Sequence, residues 1–209
     1  INNLSIPWNT GNPRDVKLNV KLLYYAMIHS TLWEGPCRYS EMSLGPDRER
    51  EEARKNYEEN VKAFGAGLSG DARMLEPAYF EFHENARIGR QDLLKLEEDK
   101  DEVDLYVLRG YNWGSHQELY FASLLAEFYG KPIVPAAHYG RTTSAYLNSI
   151  GMEGYPEYVY GGLNKLISLL RARKAFRQTR ILLITDLGGS VRGPGFMRGS
   201  ESDFDDLKN

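Results

Sequence analysis

Five short apolar runs, separated by more polar stretches, constrain the fold of this chain more than any other feature. Runs rich in Ile, Val, Leu and aromatic residues are typical of strands buried on both faces. Strands that alternate with helices predict a parallel sheet with right-handed crossovers. The five runs are Val16–Ile28, Met74–Phe82, Val103–Gly110, Pro132–Ala137 and Ile181–Thr185. The first is also compatible with a short helix, and a strand is the preferred interpretation.

The stretches between the runs have helical spacing. Asp47–Phe64 is charged, with apolar residues every three or four positions, and the glycines that follow it are expected to end the helix. The sequence therefore predicts a doubly wound α/β fold, Rossmann-like or flavodoxin-like, with a mainly parallel sheet of about five strands. We expect residues 1–209 to form one domain that belongs to a longer, multi-domain chain. The other predicted helices are Gly89–Glu98, His116–Tyr129, Thr142–Ile150 and Tyr158–Phe176.

Every histidine of the chain comes directly or shortly after one of the predicted strands. In open parallel α/β sheets, ligands bind outside the carboxyl ends of the strands. Residues that follow parallel strands meet at one edge, so this pattern predicts a binding site along it. The residues concerned are His29, His83, His116 and His138, together with Asp186 after the fifth run.

The loop after the third run carries the densest set of ligand-binding candidates. Two glycines flank Asn112 and Trp113, and glycine allows a ligand to approach the backbone closely. Asn112, Trp113 and His116 are predicted to contact the ligand beside the free N–H groups of a helix start. In the alternative interpretation, Ser115 only caps the helix and Trp113 only packs.

The loop after the first run is the second candidate region. Arg38 has the fork geometry that suits sugar hydroxyls or a carboxylate, and Trp33 offers a ring for the apolar face of a sugar. A structured surface loop, with Arg38 paired to Glu34 or Glu41, would explain the same residues.

His83, His138 and Asp186 complete the predicted substrate-binding set, mainly because they share the same sheet edge. The glycine-rich turn after Asp186 matches neither the P-loop nor the dinucleotide-binding pattern, so a nucleotide site is disfavoured. No paired cysteines and no His-Glu-x-x-His spacing indicate a metal site in this chain.

Composition narrows the possible partners. The net charge of −3 gives no basic field for nucleic acid or for an anionic membrane. No apolar run approaches the roughly 20 residues that a membrane helix needs. The single cysteine, Cys37, favours a reducing, cytoplasmic location.

From Val103 onward the chain resembles the N-terminal half of the L-fucose/L-arabinose isomerase-like proteins. The resemblance lies in the order Val-Asp-Leu-Tyr-Val-Leu, Gly-Lys-Pro-Ile-Val-Pro and Arg-Ile-Leu-Leu-Ile-Thr-Asp, followed by Ser-Asp-Phe-Asp-Asp-Leu-Lys. It extends over about Met74–Asn209. The Phe-Gly element that follows the acidic segment in the family is not found here.

The resemblance implies an aldose–ketose isomerase, in which a divalent metal, usually Mn²⁺, stabilises the ene-diolate. In that family the metal ligands lie beyond this stretch, so the chain alone is expected to bind no metal. Its implied role is to contact a small-molecule sugar and neighbouring copies in a homo-oligomer. A non-catalytic carbohydrate-binding or regulatory module is the alternative. A receiver-like signalling domain is weaker, because His29 and Asn112 stand where that domain needs acidic residues.

Overall fold

The computed structural model describes residues 15–28, 46–83, 90–111, 115–136 and 140–178. These ranges belong to one unit, Ile1–Gln178. The predicted fifth strand, Ile181–Thr185, lies outside them, and the single-domain assignment of the whole chain stays a prediction. The described elements are β1 (Leu18–Ile28), α1 (Pro46–Gly67), β2 (Ala72–Met74), β3 (Ala78–His83), α2 (Arg90–Leu93), a 3-10 turn (Leu94–Leu96), β4 (Leu105–Tyr111), α3 (Ser115–Tyr129), β5 (Ile133–Val134), α4 (Gly140–Ser149), a second 3-10 turn (Glu157–Tyr160) and α5 (Leu163–Gln178).

The described strands form one sheet in which every pairing is parallel, as predicted. β1 is central: β2 and β3 pair with one side of it in succession, and β4 pairs with the other side. β5 follows beyond β4. With helices in each crossover, this is the doubly wound α/β fold that the alternating pattern predicts.

The predicted second strand is one continuous run, whereas the structure divides it into β2 and β3. Val20 pairs with Met74 and Leu23 pairs with Ala78, so two residues of β1 face three residues in the gap. One of these three is Pro77, which has no N–H to give to the sheet. The extra residue forms a bulge-like break, after which β3 resumes the pairing with β1.

Residues of β1 are buried on both faces of the sheet, which explains their nearly unbroken apolar character. Leu23 and Tyr25 belong to one core with Phe121 of α3. Val20 and Leu22 belong to a second core with Leu166 of α5. Each fully buried leucine contributes about 1.5–3 kcal/mol. One core packs each face of the sheet against helices, so the sheet lies between two helix layers.

The first two predicted helices need correction. Helix α1 continues through Gly65 to Gly67 instead of ending at Phe64. The predicted helix Gly89–Glu98 is only one α-helical turn followed by a 3-10 turn. In the latter, Leu96 is buried and Leu94 is 60% exposed.

The long helix predicted for Tyr158–Phe176 is interrupted at its beginning. Glu157–Tyr160 forms a 3-10 turn, and α5 starts only at Leu163. Gly161 and Gly162 lie between them with φ of +75° and +106°. These angles lie outside the helical region and are accessible mainly to glycine. The break places the 3-10 turn beside the end of β4, as described below.

β5 is shorter than predicted, since only Ile133 and Val134 are in strand conformation. Its outer side is paired with Gly154, which forms a parallel bridge with Ile133. Asn148 of α4 donates to the carbonyl of Gly154 and accepts from its N–H, both at 3.0 Å. The segment around Gly154 is therefore held between β5 and α4.

We expect Gly154→Ala to destabilise the protein by about 1–3 kcal/mol, because a Cβ there would overpack the contact with α4. An added Cβ would lie 2.8 Å from Ser144 Cα and 3.0 Å from Leu147 Cβ. Urea denaturation should show a lower midpoint. Gly65→Ala is the matched control: its Cβ would meet Met74 Sδ at 3.5 Å, and the change should be neutral or stabilising by about 0.5 kcal/mol. A Gly154→Ala variant as stable as the native protein would contradict the overpacking argument.

Candidate site at the carboxyl edge of the sheet

The strand order creates a topological switch point between β1 and β4. The chain passes from β1 through α1 to β2 and β3 on one side, and then to β4 on the other side of β1. When the connections from two neighbouring strands lead to opposite sides, a crevice forms at the carboxyl ends of those strands. Open α/β sheets bind ligands in this crevice. Here Ala26 pairs with Tyr111, and Ile28 pairs with His83. The ends of β1, β3 and β4 therefore lie side by side.

The structure describes the backbone positions of two of the predicted site residues. His83 is the last residue of β3, and His116 is the second residue of α3. Both positions belong to the carboxyl edge, where β3 ends and where α3 begins after β4. The remaining candidates and His29 lie outside the described residues, so their roles stay predictions. These are Trp33, Arg38, Asn112, Trp113, His138 and Asp186.

A buried carboxylate, which the sequence analysis did not single out, lies at this edge. Glu118 stands in the first turn of α3 and is 0% exposed. Tyr25 of β1 donates to its Oε2 at 2.9 Å, and Thr143 of α4 donates to its Oε1 at 2.8 Å. The backbone N–H of Ala136, just after β5, is a third donor. Glu118 thus joins the start of α3 to three other parts of the fold.

Burial raises the pKa of the Glu118 carboxyl above its usual 4.5, although its hydrogen bonds and the charge of Arg109 act in the opposite direction. Burial, followed by the neighbouring Glu118, raises the pKa of Tyr25 well above its usual range. The phenol therefore stays protonated and acts as a donor to Glu118. Because all of Glu118 is buried, this cluster acts as an internal anchor for the start of α3.

Arg109 and Glu157 form a partly open ion pair at the same edge. Arg109 is the fifth residue of β4 and pairs with Tyr24 of β1. Its Nη2 donates to Glu157 Oε2 at 2.9 Å, and its Nη1 donates to the carbonyl of Leu108 at 2.9 Å. The side chains of Arg109 and Glu157 are 23% and 30% exposed. The hydrogen bond to Leu108 fixes the Arg109 guanidinium, and both side chains of the pair remain in contact with solvent.

A group of tyrosines covers the α1 side of the same strands. The ring of Tyr24 lies 6.2 Å from that of Tyr79 and 5.6 Å from that of Tyr57. The guanidinium of Arg54 lies 4.6 Å from the centre of the Tyr79 ring. Burial is the main cause that raises the pKa of both Tyr24 and Tyr79 to about 12. These contacts account for several of the chain's many tyrosines as packing residues.

The opposite, amino edge of the sheet has a cavity of about 560 Å³ with a charged lining. Its two acids are each paired with a base: Arg173 with Glu153 at 2.8 Å, and Lys174 with Asp104 at 2.5 Å. This cavity adjoins the C-terminal ends of α3 and α5, where cations offset the helix dipole. The pairing and the position fit a structural role for these charges.

Sequence reasoning missed the described residues that organise the carboxyl edge. For Glu118 a signal exists: it is followed at helical spacing by Phe121, Ala122 and Leu125, which are all buried, so it lies on the apolar stripe of α3. Arg109 likewise interrupts an apolar strand. The identity of their partners had no sequence signal, since Glu118 is 93 residues from Tyr25 and Arg109 is 48 residues from Glu157.

Within the described ranges, no group of three or more His, Cys, Asp or Glu side chains is arranged to hold a metal ion. None of the described helices combines the length and apolar character needed to cross a membrane. Comparisons of the chain with protein-family models, with curated proteins and with solved structures found no match.

Proposed function

We propose that this chain binds a small sugar at the carboxyl edge of its sheet, as the N-terminal part of an aldose–ketose isomerase-like protein. The observation that supports a ligand site there is the switch point between β1 and β4. A polyol needs several polar contacts and an apolar surface for its C–H groups. The predicted loop residues Asn112, Trp113 and His116 would supply both, directly after β4.

The isomerase part of the proposal comes from the sequence resemblance. Isomerisation moves a proton between C1 and C2, and the divalent metal of the holoprotein, Mn²⁺ in this proposal, supplies electrostatic stabilisation of the ene-diolate. The resemblance places the metal ligands and the carboxylate that transfers the proton outside this chain, so we assign its residues substrate and subunit contacts. The proposal includes a cytoplasmic homo-oligomer. A carbohydrate-binding module without catalysis would share the same sugar site.

We expect Trp113→Ala to weaken sugar binding by roughly 1–3 kcal/mol, the scale of one lost aromatic contact. Titration calorimetry with L-fucose and L-arabinose measures the change, and Trp113→Phe is the control that keeps a ring. The fold should survive, because Trp113 follows the last residue of β4. If Trp113→Ala unfolds the protein while affinity per folded molecule is unchanged, Trp113 is a packing residue and the proposed site is wrong.

Activity separates the two forms of the proposal. The isomerase form predicts that the holoprotein, supplied with Mn²⁺, interconverts an aldose and its ketose, which a coupled ketose assay detects. Sugar binding without interconversion would favour the non-catalytic module.

A further inference from the structure

We propose that Arg109 and Glu157 form the polar contact for vicinal hydroxyl groups of the sugar at the carboxyl edge. This inference rests on the proposed function and adds residues that the sequence pattern did not indicate. A guanidinium donates hydrogen bonds and a carboxylate accepts them, so together they satisfy two neighbouring hydroxyls that each donate and accept. The pair thereby favours a polyol over an apolar ligand.

The position of the pair supports this role. Arg109 lies on β4 beside Tyr24 of β1, two residues before β4 ends, and therefore flanks the switch point. Glu157 is brought to this place by the 3-10 turn that precedes α5. Both side chains are about one quarter to one third exposed, which leaves them accessible but less hydrated than surface groups. Hydrogen bonds to such charged groups are strong.

The hydrogen-bonding capacity of the pair is not used up by the described residues. Arg109 gives one bond through Nη2 to Glu157 and one through Nη1 to Leu108. Among the described residues, Arg109 Nε and Glu157 Oε1 have no partner. Within the described part of the chain, a donor and an acceptor are thus left over on two side chains that are already fixed in place. Such preorganisation reduces the entropy lost when a ligand binds.

The residue that follows Glu157 in the chain is aromatic. Tyr158 follows Glu157 in the 3-10 turn and is 46% exposed. Its hydroxyl accepts a hydrogen bond of 2.7 Å from Arg141 Nε, at the start of α4. The guanidinium of Arg141 also lies 5.2 Å from the centre of the ring, so Tyr158 is held in place next to Glu157 in the chain.

The chain provides a matched control pair at the opposite edge of the sheet. Arg173 and Glu153 also form an arginine–glutamate ion pair, at 2.8 Å, with side chains that are 36% and 42% exposed. The two pairs share chemistry, distance and partial exposure but differ in their edge. Substitutions that weaken binding through a general change in charge or stability should do so at both pairs. Loss of a direct sugar contact should weaken binding only when Arg109 or Glu157 is changed.

The test is titration calorimetry of the full chain with L-fucose and L-arabinose. We expect Glu157→Gln and Arg109→Lys each to raise the Kd by about tenfold or more, the value of one charged hydrogen bond. Glu153→Gln and Arg173→Lys should change the Kd by less than about twofold. Circular dichroism and thermal midpoints establish that each variant is folded, and Glu157→Gln provides the decisive result if Arg109→Lys is unstable.

The outcomes distinguish this inference from the proposed function. If neither sugar binds the native chain, the proposed function and this inference are both overturned. If the sugars bind and Trp113→Ala weakens them but Glu157→Gln does not, the site stands and the role of Arg109 and Glu157 is wrong. Equal losses at the control pair would also overturn the inference.

Discussion

Glu118→Ala should lower the free energy of unfolding by about 3–5 kcal/mol, the largest effect that we expect from a single substitution in the described residues. Two causes add. The substitution leaves the Tyr25 hydroxyl, the Thr143 hydroxyl and the Ala136 N–H without their acceptor. It also removes a side chain from a site that is 0% exposed, and leaves a cavity.

Urea denaturation, with an unchanged slope and a lower midpoint, is the measurement. Tyr25→Phe is the graded control, because it keeps the ring and removes one of the three donors. Its cost should be about 1–2 kcal/mol. A Glu118→Ala variant within about 1 kcal/mol of the native protein would show that the buried network does not hold α3 in place.

The same carboxyl should give a pH-dependent difference between the native protein and Glu118→Gln. Burial raises the pKa of Glu118 in the folded state above the usual 4.5 of the unfolded chain. Its contribution to stability is therefore fully present below the unfolded pKa and is lost as the pH rises through the folded pKa. The stability of the native protein relative to Glu118→Gln should therefore decrease as the pH rises above 4.5, the usual pKa of the carboxyl in the unfolded chain. A difference that increases with pH would contradict this sign.

The fold class was predictable because strands that are buried on both faces are nearly continuous apolar runs in the sequence. β1 contributes buried residues to two cores, and its nearly unbroken apolar run serves both of them. The divided second strand was harder to predict. Pro77 within the run argues against a continuous strand. The one-residue shift between Met74 and Ala78, however, can be identified only from the register with β1.

The sequence pattern predicts which edge of the sheet the strand ends share, because the direction of parallel strands sets that edge. That a ligand binds there stays a prediction. The described residues that shape this edge lie within the elements, as Arg109 does in β4 and Glu118 does in α3. Their importance depends on partners brought together by the tertiary fold. In the sequence, such a residue can be recognised only as a charged residue within an apolar pattern.

Lys21 is a third charge within an apolar element. It lies within β1 and is 4% exposed, and its Nζ donates to Asp99 Oδ2 at 2.5 Å. The Asp99 side chain is 21% exposed, so the pair is largely removed from water. The other carboxylate oxygen, Asp99 Oδ1, is buried and has no hydrogen-bond partner among the described residues. Asp99 therefore acts mainly as the counter-ion that makes a buried ammonium tolerable.

Asp99→Ala should accordingly destabilise the protein by about 3 kcal/mol, because it leaves Lys21 charged and unpaired inside the fold. Lys21→Met alone should cost less, since the partly exposed Asp99 regains solvent contact. The double variant, Lys21→Met with Asp99→Ala, should recover most of the loss, because replacing a buried pair by apolar groups is often close to neutral. Urea denaturation of all four proteins gives the coupling energy through a double-mutant cycle. Additive losses in the double variant would mean that the two charges do not depend on each other, and that Asp99 stabilises the fold by another route.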